Sequence, residues 1–200
     1  MNVTDLTRNK GLILAHETST ARHMALHVID KPRPRVWMIF IPIFFVFYFW
    51  KIKEYEQALK DFGEHYLIPY RRTLEAVCAA GENGIPIDVP GLVAQFNHRQ
   101  ETTRVFMQEW LTLLAEHFQT LLTARGDSYA QLVLAGYGNK ANYLLLCQHL
   151  SKAENTFNRA LLKKIDGDSS ELAQITQLMA EGLKNLRLQE SEKIFVDANL

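Results

Sequence analysis

The sequence predicts an all-α protein, in which a single membrane-anchoring helix continues into a small antiparallel helical bundle. Apolar residues recur at alternating steps of three and four along most of the chain, and no window shows the sustained alternation typical of a strand. The run Val36–Trp50 contains no charged side chain. We therefore predict a basic, amphipathic N-terminal segment over 1–35, a transmembrane or re-entrant helix over 36–50, and a helical bundle domain over 51–200.

Charge gives the chain as a whole no preference for nucleic acid. The 200 residues contain 22 Lys and Arg and 22 Asp and Glu, so the formal net charge is zero. Basic residues outnumber acidic ones before the apolar run, where anionic lipid headgroups would attract them. Cys78 and Cys147 lie far apart in apolar helical patterns, which predicts two buried free thiols rather than a disulfide framework.

The apolar run is the strongest feature of the sequence. At ~1.5 Å per residue it covers ~22 Å, which is shorter than the ~30 Å hydrocarbon core of a bilayer. Aromatic residues at the ends and cationic residues outside them are nevertheless typical of a membrane anchor. We expect the anchor to include Val36, Trp37, Pro42, Tyr48 and Trp50, with Arg33, Arg35, Lys51 and Lys53 at the lipid headgroups.

Pro42 leaves two membrane arrangements open. A proline removes a backbone hydrogen bond and kinks a helix, so the run fits either a kinked span or a re-entrant hairpin. A helix buried within a soluble core and a secretory signal peptide are the remaining alternatives. The run begins too far from Met1 and has too many aromatic residues for a signal peptide. The orientation of the anchor stays open, because basic residues flank both of its ends.

Helical periodicity and turn residues divide the rest of the chain. Residues 11–30 form an amphipathic helix that lies in the headgroup layer or packs on the bundle, and the membrane helix continues to about Ala80. A second long helix runs from about Pro90 to Gly126, and a third covers Ser128–Ala135. Asn139 caps a fourth, and Asp168 with Glu171 resembles a capping box at the start of the last helix.

Histidines offer the first candidate site. His16, His23 and His27 fall on one side of the N-terminal helix, and the last two have the spacing that lets two imidazoles reach one metal ion. No second cluster of ligands is nearby, so a polar helix face explains the same pattern. Glu64-His65 and Glu116-His117 do not match the order Glu-x-x-His that di-iron bundles use. We predict no cofactor.

Three functional hypotheses follow, because none of the familiar catalytic motifs is present. The first is a membrane-anchored interaction or scaffold protein without catalytic activity, which binds membrane lipid and a protein partner or a second copy of itself through aromatic side chains such as Trp110, Tyr129 and Tyr137. The second is an accessory subunit of a membrane complex with the histidine metal site. The third is an enzyme for a lipid-linked substrate, with a pocket at the membrane face that contains carboxyl groups of perturbed pKa, such as Glu54, Glu56 or Glu64.

Overall fold

The computed structural model describes residues 3–32, 42–96, 101–162 and 169–197. Within these ranges the chain forms seven α-helices and no strand, which confirms the all-α helical bundle. The helices are α1 (Val3–Val28), α2 (Pro42–Asn83), α3 (Val89–Ala94), α4 (Glu101–Thr123), α5 (Tyr129–Tyr137), α6 (Lys140–Leu162) and α7 (Ser169–Asp197).

Helix α4 provides the centre of the core. Its buried face includes Leu111, Leu114, Phe118 and Leu121, none of which is measurably exposed, and it packs against α1, α2, α3, α5 and α6. Helix α1 lies along α2, and α7 closes the bundle against α6 and α1. The N-terminal helix is thus part of the bundle, which is the second of the two arrangements predicted for it.

Helix α2 confirms that the apolar run leads into the bundle. It begins at Pro42, continues without a break through Pro69 and ends at Asn83. The Thr73 hydroxyl donates to the Pro69 carbonyl oxygen at 2.7 Å. The first fully buried side chain from Trp50 onward is Leu67, so the preceding turns of α2 lie at the edge of the bundle.

The predicted single membrane-anchoring helix is not supported. Among the described helices, none combines the length and the apolar character needed to cross a bilayer. Val36, Trp37, Arg33 and Arg35 lie outside the described residues. Pro42 and Tyr48 are within the backbone of α2, and Trp50 is 54% exposed.

The prediction of one continuous helix from about Pro90 to Gly126 was wrong, because two helices occupy these residues. The Asp88 carboxylate accepts a hydrogen bond from the Gly91 amide at 2.9 Å and caps α3. The amide of Phe96 bonds to the Val93 carbonyl, a tight i to i−3 turn that ends α3 after six residues. Helix α4 then begins at Glu101.

The turns around α5 follow the predicted chemistry. Ser128 caps the start of α5, and Gly138 ends it with a φ of 71°, a conformation that favours glycine. The Asn139 side chain accepts the Asn142 amide at 2.9 Å and caps α6, as predicted. Asp168 and the Glu171 side chain lie outside the described residues, and α7 continues to Asp197, beyond the predicted end near Glu192.

Asn9 joins the first helix to the end of the central one. Its side chain is fully buried, and Nδ2 donates to the carbonyl oxygens of Leu121, Leu122 and Ala124 at 3.4, 3.1 and 2.9 Å. The last carbonyls of a helix have no partner within it. A buried amide therefore replaces the water that would otherwise bind them.

Replacing Asn9 with alanine should destabilise the bundle. The Asn9→Ala variant leaves the Leu122 and Ala124 carbonyls without this donor, while the Leu121 carbonyl keeps the Ala124 amide. We expect the free energy of unfolding to fall by about 1–3 kcal/mol in urea denaturation. The matched control is Asn83→Ala, which removes an exposed amide that binds the Ala79 carbonyl at the end of α2. Equal stability changes in the two variants would contradict the role given to Asn9.

Candidate functional site

A cluster of polar side chains is buried between α1, α2, α4, α6 and α7. It surrounds a cavity of about 30 Å³, which is room for about two water molecules. Both acidic and basic groups line this cavity, together with several tyrosines. We call it the polar chamber, and its lining includes His16, Glu17, Tyr66, Tyr70, His117, Tyr129, Tyr143, Cys147, Arg187 and Glu190.

Arg187 connects α7 to α6 at one wall of the chamber. Its guanidinium donates to Ser151 Oγ at 2.5 Å and lies 3.4 Å from Glu154 Oε2. The two charged side chains are 12% and 7% exposed, so this is a buried ion pair. Burial alone would lower the pKa of Arg187, but the Glu154 carboxylate and two nearby tyrosines raise it above its ordinary value.

Glu154 has a partner on each carboxyl oxygen. Oε2 faces Arg187, and Oε1 accepts the Tyr70 hydroxyl at 3.2 Å. The Tyr70 and Tyr66 hydroxyls lie 2.9 Å apart, so a hydrogen-bonded chain extends from α7 through α6 to α2. Burial raises the pKa of Glu154, while Arg187 opposes the shift.

Glu190 and His16 form a second pair across α7 and α1. Glu190 Oε1 is 3.2 Å from His16 Nδ1, and Oε2 accepts the Tyr143 hydroxyl at 3.0 Å. Burial raises the pKa of Glu190 to about 7 and lowers that of His16 to about 4. Because burial disfavours both charges, the pair is held by a hydrogen bond at neutral pH more than by full ionic attraction. The His16 ring also stacks on Tyr129 with centroids 3.6 Å apart.

His117 is a second neutral histidine, deeper in the bundle. It is 4% exposed, and burial lowers its pKa to about 3. Nδ1 lies 2.6 Å from the Tyr137 hydroxyl, and Nε2 lies 3.5 Å from the Tyr129 hydroxyl. Both ring nitrogens therefore face phenols, and the imidazole remains a neutral donor and acceptor.

Glu17 differs from the other carboxyl groups of the chamber. It is 7% exposed and lines the cavity, yet no hydrogen bond or ion pair joins its carboxyl group to another described residue. Burial raises its pKa to about 8, and nearby Glu190 and Glu154 add to the shift while Arg187 opposes it. Glu17 is thus the carboxyl group of the chamber with free hydrogen-bonding capacity.

The chamber has the groups that proton transfer requires. Carboxyl groups with pKa values of about 7 and 8 exist in both protonation states near neutral pH, which is the condition for general acid–base chemistry. Cys147 is less suited to nucleophilic attack, because burial raises the pKa of its thiol to about 11. Cys147 and Cys78 are both buried and unbridged, as the sequence predicted.

Sequence reasoning missed these residues, although their spacing was visible. Glu17 continues the buried series Ile13, Ala21 and Met24 at steps of three and four, and Glu154 lies between Leu150 and Phe157 in the same way. Arg187 and Glu190 fall between Leu183 and Ile194 on α7. A charged residue in phase with an apolar stripe is the pattern that would have indicated them.

The predicted histidine site is divided by the fold. His16 enters the chamber, whereas His23 and His27 are exposed and His23 bonds to the Ser19 carbonyl. Across the described ranges, no three histidine, cysteine, aspartate or glutamate side chains come together as metal ligands.

Glu64, His65 and Glu116 are exposed, while His117 is buried. The predicted headgroup contacts Lys51 and Lys53 are exposed at the start of α2.

Two further expectations require correction. Trp110, expected to anchor a partner only if it were exposed, is 4% exposed and packs between Tyr70 and Phe157, and Tyr129 and Tyr137 are partly buried. Their rings are large enough to fill the core, which outweighs their polar tips. Glu54, Glu56 and Glu64, expected in a pocket, are exposed on α2.

Comparison of the chain with protein-family models, with curated proteins and with solved structures gave no match.

The buried groups predict how stability depends on pH. Glu17 and Glu190 keep protons in the fold that the unfolded chain releases above about pH 4.5, so the stability they contribute is lost as the pH rises through 7 and 8. His16 and His117 contribute stability that is full above about pH 6.5 and is lost as the pH falls through 4 and 3. We expect a maximum between about pH 4.5 and 6.5 in the free energy of unfolding measured by urea denaturation.

The Glu17→Gln variant tests the alkaline side of this profile. Glutamine is neutral at every pH, so the loss of stability between about pH 6.5 and 8 should become smaller. Glu109→Gln on the exposed face of α4 is the control and should keep the wild-type profile. Parallel profiles for wild type and Glu17→Gln would show that Glu17 does not carry the effect.

Proposed function

We propose that this bundle binds a small polar molecule in the polar chamber. The observation that carries the proposal is one cavity lined by the buried Glu17 and by the largely buried Arg187 and Glu190, with the buried Glu154 paired to Arg187 at its wall. Removing charged groups from water costs more than their mutual attraction usually returns, and an apolar core of similar volume is often more stable. Buried ionisable groups with shifted pKa values beside a cavity are typical of ligand-binding and catalytic sites.

The seam between α6 and α7 offers a way into the chamber. A second cavity of about 20 Å³ lies beside it, and Tyr66 and Leu183 line both. Ser151, Asn155 and Ala180 line this second cavity and also an open groove of about 630 Å³ on the surface. Polar side chains thus lead from solvent to Glu154, and movement of Tyr66 or Leu183 would join the two cavities.

Replacing the buried ion pair by apolar side chains tests the proposal. The double variant with Glu154→Met and Arg187→Met should fold at least as stably as wild type, because it removes the desolvation cost and keeps most of the volume. We expect wild type to give saturation-transfer NMR signals with at least one class in a panel of alkylammonium ions, short carboxylates, amides and alcohols. The double variant should lose these signals.

The control removes an exposed ion pair between the same two helices. Lys140 and Glu192 are such a pair, and the variant with Lys140→Met and Glu192→Met should bind as wild type does. The proposal fails if no class of the panel binds wild type, or if binding persists unchanged when Glu154 and Arg187 are replaced.

We also propose that the run Val36–Trp50 attaches the bundle to a membrane. Support comes from the uncharged, aromatic-rich sequence and from α2, which begins inside the run and continues into the bundle with Trp50 exposed. Lys51 and Lys53 stand exposed just beyond it, where they would meet lipid phosphates. The scaffold role predicted from sequence has less support, because the aromatic residues expected to contact a partner are buried or partly buried.

Vesicle flotation of the full chain tests the attachment. Wild type should float with vesicles of phosphatidylcholine and phosphatidylserine, and the double variant with Phe45→Asp and Phe47→Asp should not, because each carboxylate in hydrocarbon costs about 2.5–3.5 kcal/mol.

Charge reversal at the predicted headgroup contacts completes the test. Lys51→Glu with Lys53→Glu should weaken flotation with phosphatidylserine vesicles by about tenfold or more, since each cation near the surface contributes about 1 kcal/mol. Lys60→Glu is the control, because it lies ~13 Å further along α2, beyond the Debye length of ~8–10 Å. Flotation that is unaffected by the Phe45 and Phe47 substitutions would overturn the proposed attachment.

A further inference from the structure

The identity of the ligand can be narrowed from the hydrogen bonds inside the polar chamber. Glu154 and Glu190 each use both carboxyl oxygens, for Tyr70 and Arg187 in one case and for His16 and Tyr143 in the other. Glu17 is 7% exposed and lines the cavity, and its carboxyl group has no hydrogen-bond or ion-pair partner among the described residues. A ligand in the cavity therefore meets one carboxyl group that needs hydrogen-bond donors.

The charges of the chamber favour a cation over an anion. Two carboxyl groups, those of Glu17 and Glu190, line the cavity with one guanidinium, that of Arg187, which is already paired with Glu154. His16 and His117 do not add positive charge at neutral pH, because burial lowers the pKa of both. Full ionisation would leave these groups with more negative than positive charge, and a bound cation would reduce that excess.

Aromatic walls fit the same class of ligand. Tyr66, Tyr70, Tyr129 and Tyr143 line the cavity, and the ring faces of tyrosines attract cations. Leu146, Leu150, Leu183 and Leu186 complete the lining and provide apolar contacts for a short alkyl chain. The volume of about 30 Å³ suits a molecule of very few heavy atoms.

We propose that the ligand of the polar chamber is a small organic ammonium ion, whose N–H groups bind the free carboxyl group of Glu17 and whose alkyl part lies against the tyrosine and leucine walls. The inference rests on the proposed function, which it deepens by naming the ligand class. The ammonium group donates two or three hydrogen bonds, which matches a carboxylate without partners better than a neutral amide does.

Thermal shift and calorimetric titration with methylammonium and ethylammonium chloride test this inference. Both salts should raise the melting temperature of the full chain in a saturable way, relative to sodium chloride at equal ionic strength. Acetamide, ethanol and sodium acetate, the neutral and anionic probes of similar size, should not. Binding should tighten as the pH rises from about 6.5 to about 8.5, since Glu17 then loses its proton.

The Glu17→Gln variant should bind the ammonium ions about tenfold more weakly or worse, because a charge-assisted hydrogen bond becomes a neutral one. Glu109→Gln should bind as wild type does, and circular dichroism should show that both variants fold. Glu17→Asp keeps the charge on a shorter side chain and should recover part of the affinity, which a purely structural role for Glu17 would not produce.

The outcomes separate this inference from the proposed function. Binding of acetamide or acetate in place of the ammonium ions, or ammonium binding that Glu17→Gln leaves unchanged, would overturn the ligand class and leave the chamber as a binding site. Absence of a saturable shift with either ammonium ion would overturn the inference as well. If the NMR panel also gave no signal with wild type, the proposed function would fail with it.

Discussion

The buried guanidinium of Arg187 is the constraint on which the chamber depends. A cation that cannot be deprotonated must be compensated where it lies, and Glu154 supplies the negative charge from the neighbouring helix. Ser151 takes a further hydrogen bond, so α6 and α7 are held in one register at this point. The same positive charge helps to keep His16 and His117 neutral. Arg187 thus adds to the effect of burial on groups of several helices: it lowers the pKa values of His16 and His117 and opposes the rise at Glu17.

Most of the rest of the core is apolar, which explains how the bundle tolerates this cluster. Phe118, Leu111 and Leu114 on α4 are fully buried, and each buried side chain of this size contributes about 1.5–3 kcal/mol by leaving water. The free energy gained by this packing offsets the cost of desolvating the charged groups. Burial of Glu17, which has no hydrogen-bond partner among the described residues, raises its pKa. The ligand binding proposed for the chamber would make this cost in stability the usual trade-off between stability and function.

Local sequence predicted the helices where local interactions decide them. Asn139 and Gly138 mark the turn between α5 and α6 because an amide side chain can cap a helix and glycine accepts a positive φ. The break between α3 and α4 was missed, because the apolar stripe from Leu92 to Leu121 continues in phase across it. The histidine face was divided because His16 packs against α7 and α5, which its own helix cannot indicate.

The sequence by itself determined the helical class, most of the turns and the continuity of the apolar run with the first long helix of the bundle. These properties depend on residues within a few positions of each other, and periodicity and capping express them directly. Only the tertiary structure decided that Glu17 and Arg187 line one cavity and that Glu154 pairs with Arg187, since a charged residue within an apolar stripe can lie at a surface edge or in the core. The choice depends on which helices cover that stripe, and those helices are distant in sequence.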